Sequence, residues 1–336
     1  MEKVIILILV ILHTSSCSNR EEDNEPAKDY STKVELEDIP SIRFIELAKN
    51  IIEHKNYSQN QFVHDFNFIS FDDEYDFMHS VGVFDLTQPL EFYISEKTNI
   101  KNRYVSFIAI NERGYINEIY YGGGKHVISR DDIGSKYAII IGRIFINQAN
   151  SKELEIIKRI QRSITIVNNK IKRDKYIPKE YNKKKFTLLT DSKKDQANIE
   201  MQCFGSKSEV NKDEFIKCAS NRIGGIPYKD FLIKKEAIED SKDEIYQVTI
   251  KDVEVSENGF WSITGYNVFN KQVEKSDTIN SNNGIKEKDG AINILFGNCG
   301  NKKNCIPTSR RWQYILRVYT PDARSIDTSN IKAKKL

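Results

Sequence analysis

After its first seventeen residues the sequence contains no apolar run approaching the length a membrane-crossing helix needs, roughly 18 residues, so no transmembrane helix is expected there. Histidine is scarce. Beyond that point only His54, His64, His79 and His126 occur, and none sits in a His-Glu-x-x-His pattern, so the sequence offers no protein-built metal site. A G-x-S-x-G nucleophile elbow, a phosphate-binding P-loop and a G-x-G-x-x-G fingerprint after a strand are also missing, and no cofactor is implied. Gly122-Gly123-Gly124-Lys125 falls between two strand-like runs rather than between a strand and a helix, and reads as a turn. No charge of one sign dominates: 51 basic and 48 acidic side chains leave a net charge of +3, which demands no nucleic acid partner.

What is present begins with the start of the chain. Met1-Glu2-Lys3 carries one positive charge, and Val4 to Leu12 is unbroken apolar sequence. As a helix nine residues span about 13 Å, under half the hydrocarbon thickness, so residues 1–16 read as an export signal. Thr14-Ser15-Ser16-Cys17 resembles a bacterial lipobox, with Thr14 where leucine is usual. The expectation is lipidation of Cys17 and anchoring to a membrane of the bacterial envelope, most simply the outer one. The alternative is an ordinary signal peptide with an incidental cysteine. Residues 17–40 read as a flexible tether, polar at first and acidic at Glu21, Glu22, Asp23 and Glu25.

With 39% hydrophobic residues, 17 Phe and 16 Tyr, the rest of the chain has material for a substantial core, and its length suits two domains. Four cysteines remain, Cys203, Cys218, Cys299 and Cys305. In an exported chain an even number makes disulfides plausible, and local pairing is the simplest of three connectivities.

Hydrophobic periodicity divides the chain. Phe44, Leu47, Ala48, Ile51 and Ile52 recur at helical spacing after Pro40-Ser41, which places a helix in an N-terminal segment of residues 41–70. A first β-sandwich with a trailing helix is expected over 71–168. Its strands are Val81–Leu86, Leu90–Ile94, Tyr104–Asn111, Ile116–Tyr121 and Tyr137–Ile146, and its helix runs from Lys152 to about Val167. Residues 169–225 read as a basic linker and helical connector, with short helices at Asn198–Phe204 and Asp213–Arg222. A second sandwich is expected over 226–327, with strands at Tyr246–Val255, Phe260–Tyr266, Ala291–Phe296 and Tyr314–Tyr319. Residues 328–336 read as a tail. The fold class is mainly β, two sandwiches with flanking and connecting helices.

Several stretches of the second half are familiar in order and spacing. They are Gly224-Gly225-Ile226-Pro227, Gly259-Phe260-Trp261-Ser262-Ile263-Thr264-Gly265-Tyr266-Asn267, Asp289-Gly290, and Asn304-Cys305-Ile306-Pro307 leading to Trp312 and Arg317-Val318-Tyr319-Thr320-Pro321. This part resembles the bacterial family of domain of unknown function 1214. Val83-Phe84-Asp85-Leu86, Asn102-Arg103-Tyr104 and Gly142-Arg143 resemble the partner family, domain of unknown function 1254. The resemblance implies two sandwiches, the second a jelly roll. The sequence departs from the family at Glu74-Tyr75-Asp76-Phe77, where only Asp76 matches. Asn111 and Asn267 stand where aspartates are usual.

Two constellations carry chemistry. Asp76 with His79, joined by Asn111 and Arg143, would let a carboxylate orient an imidazole while a guanidinium holds an anion. The plainer reading pairs Arg143 with a buried carboxylate. Trp261, Tyr266, Asn267 and Trp312 offer aromatic faces and an amide suited to a sugar, although Trp261 on a regular strand is an ordinary core position. Three functions follow. The first is a non-catalytic envelope module binding a glycan, a small molecule or an envelope protein, the second a hydrolase using Asp76 and His79. The third is a structural envelope protein whose basic linker touches anionic lipid.

Overall fold

The structure is a computed structural model that describes residues 28–64, 76–98, 100, 103–147, 152–198, 201–242, 244–251, 253–269, 272–320 and 323–336. The export segment, Cys17, the acidic tether residues, Glu74-Tyr75 and Asn102 lie outside the described residues.

The described chain opens in contact with the domain, so residues 28–40 are not part of a flexible tether. Lys28 Nζ bonds Asp38 at 2.7 Å, Tyr30 bridges to Tyr181, and Val34 is buried. Helix α1 (Ile39–Ile52) follows from Asp38, with Pro40 inside its first turn, where a fixed φ and a missing N–H cost nothing. Ser41 therefore lies inside the helix, as its third residue. Strands β1 (Val63–His64), β2 (Phe77–Asp85), β3 (Leu90–Ile94), β4 (Val105–Asn111), β5 (Ile116–Tyr121) and β6 (Gly124–Ile128) come next. They are followed by the short helix α2 (Arg130–Ile133), then β7 (Tyr137–Phe145), α3 (Glu153–Arg162) and β8 (Thr165–Ile166).

One five-stranded antiparallel sheet, ordered β1-β2-β7-β4-β5, organises this half. Alternation along its strands gives it two apolar faces. Val81, Val83, Ile108, Ile110, Ile139 and Ile141 point to α1, while Phe84, Phe107, Ala109, Ile140 and Ile144 point the other way. There they meet Phe92 of a second sheet, β6-β3-β8, and Ile157 and Ile160 of α3. The first half is thus a sandwich with a helical layer on its outer side. The trailing helix stops at Arg162, and Thr165–Ile166 turn to pair with β3.

The basic stretch after residue 169 is a tied-down strap. Arg173 donates to the carbonyls of Asp85, Gln88 and Pro89, Tyr176 packs edge-on against Phe44, and Tyr181 donates to Glu46 at 2.7 Å. It leads into α4 (Lys183–Asp191), capped by Asn182, and α5 (Lys212–Asn221), capped by Asn211. The described part of Asn198–Phe204 is not helical. Arg43 of α1 donates to the carbonyls of Ala219 and Ser220, satisfying the end of α5. Cys203 is bonded to Cys218 of α5, and Cys299 to Cys305, with Cα separations of 5.7 and 5.8 Å.

The second half contains β9 (Phe231–Ile238), β10 (Tyr246–Ile250), β11 (Phe260–Phe269), β12 (Gln272–Asn280), β13 (Ile292–Phe296), β14 (Cys305–Ile306), β15 (Trp312–Tyr319) and β16 (Lys334–Lys335). Two four-stranded sheets, β14-β13-β10-β16 and β12-β11-β15-β9, face each other across one core. Two sheets of four strands agree with the jelly-roll expectation. The presumed tail is part of the sheet, because Tyr246 and Gln247 pair with Lys335 and Lys334.

Candidate functional site

Three of the four residues of the first constellation come together where the two sandwiches meet. In β2, β7 and β4, His79 and Ser106 both lie opposite Arg143, and Ser106 lies opposite Tyr121 of β5. Directly opposed residues share a sheet face, so these four form one row. All but Tyr121 are buried, and Arg143 is wholly so. The next row, Phe77, Phe145 and Tyr104, packs on Phe260 and Tyr319 of the second sandwich. Asp76 sits at the same junction, where the Ser262 hydroxyl donates to its Oδ2 at 2.7 Å. Arg143 donates to the Gly224 carbonyl at 2.7 Å, using the Gly224-Gly225 turn as its acceptor. Burial, then the neighbouring Tyr104 and Asp230, push the Tyr121 phenol well above its ordinary pKa. The seam is polar, closed and joined to the packing of both halves.

Asn111 does not belong to it. It lies opposite Ala138, five positions along β4 from Ser106, or about 17 Å away at strand rise. Its amide donates to the Ile133 carbonyl, and its Oδ1 accepts from the N–H groups of Arg113 and Tyr115, so it closes the β4–β5 turn.

The aromatic platform is not a surface. Trp261 and Trp312 point into the core between the two sheets, where Trp312 stacks on Phe296 at 4.6 Å with the planes 9° apart. Alternation sends Tyr266 to the opposite face, where its hydroxyl accepts from Arg317 at 3.0 Å, and Asn267 Oδ1 accepts from the Ser309 N–H at 2.7 Å. Apolar burial claimed the indole faces.

A second polar group, which sequence spacing did not bring to light, lies on the far face of the first sheet. His64 Nδ1 is 2.9 Å from Ser80 Oγ, and Gln161 Nε2 donates to the His79 carbonyl at 2.9 Å. A hydroxyl beside an imidazole has the parts of an activated nucleophile. Ser80, however, is fully buried under α3 and no substrate reaches it as the chain is folded. The signal would have been the pairing of Val63–His64 with β2, a two-residue strand too short to read.

Two open clefts lie side by side among the described residues: one of about 610 Å³ runs along α1 and the strap, and one of about 560 Å³ lies where the β4–β5 turn, the start of α1, the strap and α5 converge. Phe44, Tyr115, Tyr176 and Phe215 contribute aromatic surface to the second, and Tyr115 stacks on Phe215 at 4.7 Å. Seven lining side chains are basic and three are acidic. Of the acids, Asp38 is bonded to Lys28 at 2.7 Å and Glu37 faces Lys212 at 3.5 Å. Glu112 is the third. Burial raises its pKa, against the Tyr137 N–H and the charges of Lys179, Lys136 and Arg130. Neither this cleft nor the neighbouring one along α1 has Asp76, His79 or Ser80 in its walls. Among the described residues no cluster of metal-ligating side chains occurs, and no helix is long and apolar enough to cross a membrane.

Comparison with known proteins agrees with this architecture. Residues 234–323 match the family model described as a protein of unknown function, DUF1214. No curated protein matches the sequence. The crystal structure of the VPA0106 protein from Vibrio parahaemolyticus is similar over 90% of this chain and 98% of its own, with 16% identity and a TM-score of 0.58. A putative uncharacterised protein from Burkholderia cenocepacia aligns over 88% of this chain and 86% of its own, with 10% identity and a TM-score of 0.47. At such identities the likeness is one of fold.

Proposed function

We propose that the protein is an exported, lipid-anchored envelope protein that binds a ligand non-covalently in the cleft between the β4–β5 turn, α1, the strap and α5, with a first half related to the 1254 family. The observation that carries the binding reading is the contrast in access. The side chains with catalytic potential, Asp76, His79 and Ser80, are buried in packing. The cleft holds about 560 Å³, a volume in the range of small-molecule sites, and mixes aromatic surface with converging polar groups. The apolar start of the sequence and Cys17 support the anchored reading.

A thermal-shift screen of small-molecule, glycan and anion libraries tests the binding reading, with Lys179→Trp filling the cleft mouth. Hits should stabilise the wild type and lose their effect in the variant. Hits that persist in Lys179→Trp, or turnover abolished by His79→Ala in a protein that melts normally, would transfer the function to the seam. Labelling with a clickable palmitate tests the anchor: Cys17→Ala should lose the label, and equal labelling of both proteins would refute acylation there.

A further inference from the structure

We propose that the strap and α4 form a surface that docks on an anionic lipid bilayer. The whole chain has a net charge of +3, yet residues 170–188 alone hold eight basic and two acidic side chains, a net of +6, which leaves the remainder at −3. Such an asymmetry turns one face of a molecule toward an anionic surface. Seven of the eight basic residues are lysines, and all seven are exposed. The eighth, Arg173, is turned inward to the carbonyls of Asp85, Gln88 and Pro89. Burial of Tyr176 against Phe44 and Tyr137 sets the facing of its neighbours, and Lys175 and Ile177 are left outside, Ile177 at 80% exposure. On α4, Phe186 and Thr190 are buried. Lys184 and Leu188, four residues apart, lie on the other side, with Leu188 60% exposed. Lysines meet headgroup phosphates, while apolar tips enter the boundary between headgroups and acyl chains.

The start of the described chain points to a bilayer as the occupant. Tyr30 bridges to Tyr181 in parallel, and the Asn182 N–H donates to the Tyr30 carbonyl at 2.9 Å, so the chain enters the domain where the strap passes into α4. From Cys17 to Lys28 is eleven residues, at most about 40 Å of extended chain. Where Cys17 carries the acyl anchor, as proposed above, a lipid surface is held within that reach of the strap. A weak second contact on the same molecule then forms at high effective concentration. The lysines and apolar side chains also meet a bilayer without the anchor, so the two readings are separable. Ile177 and Leu188 distinguish a bilayer from a soluble polyanion, to which they would add nothing. The competing occupant is the chain's own Glu21, Glu22, Asp23 and Glu25, which have the same reach. The strap also walls both clefts, so the docked protein holds them close to the lipid.

The test titrates the purified full chain, and its Cys17→Ala form, with vesicles of phosphatidylcholine made with and without phosphatidylglycerol, and reads co-sedimentation. The apolar start of the chain and any acyl group favour both kinds of vesicle, so the reading is the gain on adding phosphatidylglycerol. Both forms should show the gain, and potassium chloride should reduce it. Each lysine near an anionic surface is worth about fivefold in partition. Lys175→Glu, Lys184→Glu and Lys185→Glu together should therefore lower binding to the phosphatidylglycerol vesicles on the order of a hundredfold. Lys302→Glu with Lys303→Glu, exposed in the other half, should change it far less. Ile177→Ser with Leu188→Ser should weaken it severalfold, and melting should stay unchanged because both side chains are exposed. Absence of the gain in either form, an equal gain in the three-lysine variant, or no effect of the serine pair would overturn the proposal. So would a gain that appears only after Glu21, Glu22, Asp23 and Glu25 are changed to Gln, which would assign the lysines to those acids. An intact gain in a chain that takes no palmitate label would refute the anchor and leave the docking surface standing.

Discussion

The Ser262 hydroxyl donates to Asp76 Oδ2 at 2.7 Å, a buried bond between side chains 186 positions apart that joins one sandwich to the other. It sits beside Phe77 and Phe260, whose rings are 5.7 Å apart, so a directional bond is fixed within an apolar contact. Ser262→Ala takes a donor away from a buried carboxylate, and the expected cost is about 1–3 kcal/mol. Thermal melting should fall by several degrees. In Asp76→Asn the same serine substitution should cost less. Equal losses in the two backgrounds would show that the bond does not couple the halves.

A second polar tie holds α3 to the first sheet. Arg103 forms a two-pronged pair with Glu153 at 2.7 and 3.1 Å, and both side chains are largely buried. Burial by itself would raise the Glu153 pKa, but the Arg103 bonds and charge and the Asn147 N–H outweigh it, and the net shift is downward. A lowered folded-state pKa stabilises the protein above the ordinary glutamate value of about 4.3, and that contribution is lost as pH falls through the folded value. Glu153→Gln should therefore flatten the acid limb of a stability–pH curve. Arg103→Met, which leaves a buried carboxylate behind, should cost about 3–5 kcal/mol near neutral pH. An unchanged acid limb in Glu153→Gln would contradict the coupling.

Gly142 precedes Arg143 in β7 and lies under the Phe107 ring. A Cβ there would stand 2.5 Å from Phe107 Cε1, inside contact distance. Gly142→Ala should destabilise by about 1–3 kcal/mol through overpacking, measured by denaturant unfolding, and Phe107→Leu should restore part of the loss. Absence of any rescue would place the strain elsewhere.

The Cys203–Cys218 bridge ties the loop before α5 to the helix that supplies Phe215 and Ile216 to the cleft. Cys203→Ser with Cys218→Ser opens a loop of some 16 residues and should cost about 3 kcal/mol. Ligand affinity at the cleft should fall with it. Loss of stability at unchanged affinity would separate the bridge from the site.

Much of the architecture was legible because its signal is local. Strands β3 and β5 have the boundaries that β-branched and aromatic runs imply, and α5 follows its Asn cap. What escaped was set by partners. β9 and β12 carry too many charged and polar residues to read as strands, yet both pair along an edge of the sheet built on β11 and β15. α3 looks longer in sequence than it is because Ile164 and Val167 continue its apolar repeat, although the chain turns after Arg162 and Thr165–Ile166 pair with β3. The seam was half visible. His79 and Arg143 stand 64 positions apart, and only antiparallel pairing of β2 with β7 sets them side by side. The cleft was invisible because its lining comes from segments far apart in sequence; only the basic linker that holds Lys179 stood out as a charge run.

The claim on which the rest depends is that the cleft beside Lys179, and not the closed seam, meets the ligand. Lysine acetylation footprinting read by mass spectrometry tests it directly, using a compound that stabilises the wild type in the thermal-shift screen. Lys179, Lys207 and Lys212 should be protected by that compound, while the exposed Lys302 and Lys303 stay reactive. Uniform reactivity at all five positions would contradict the account.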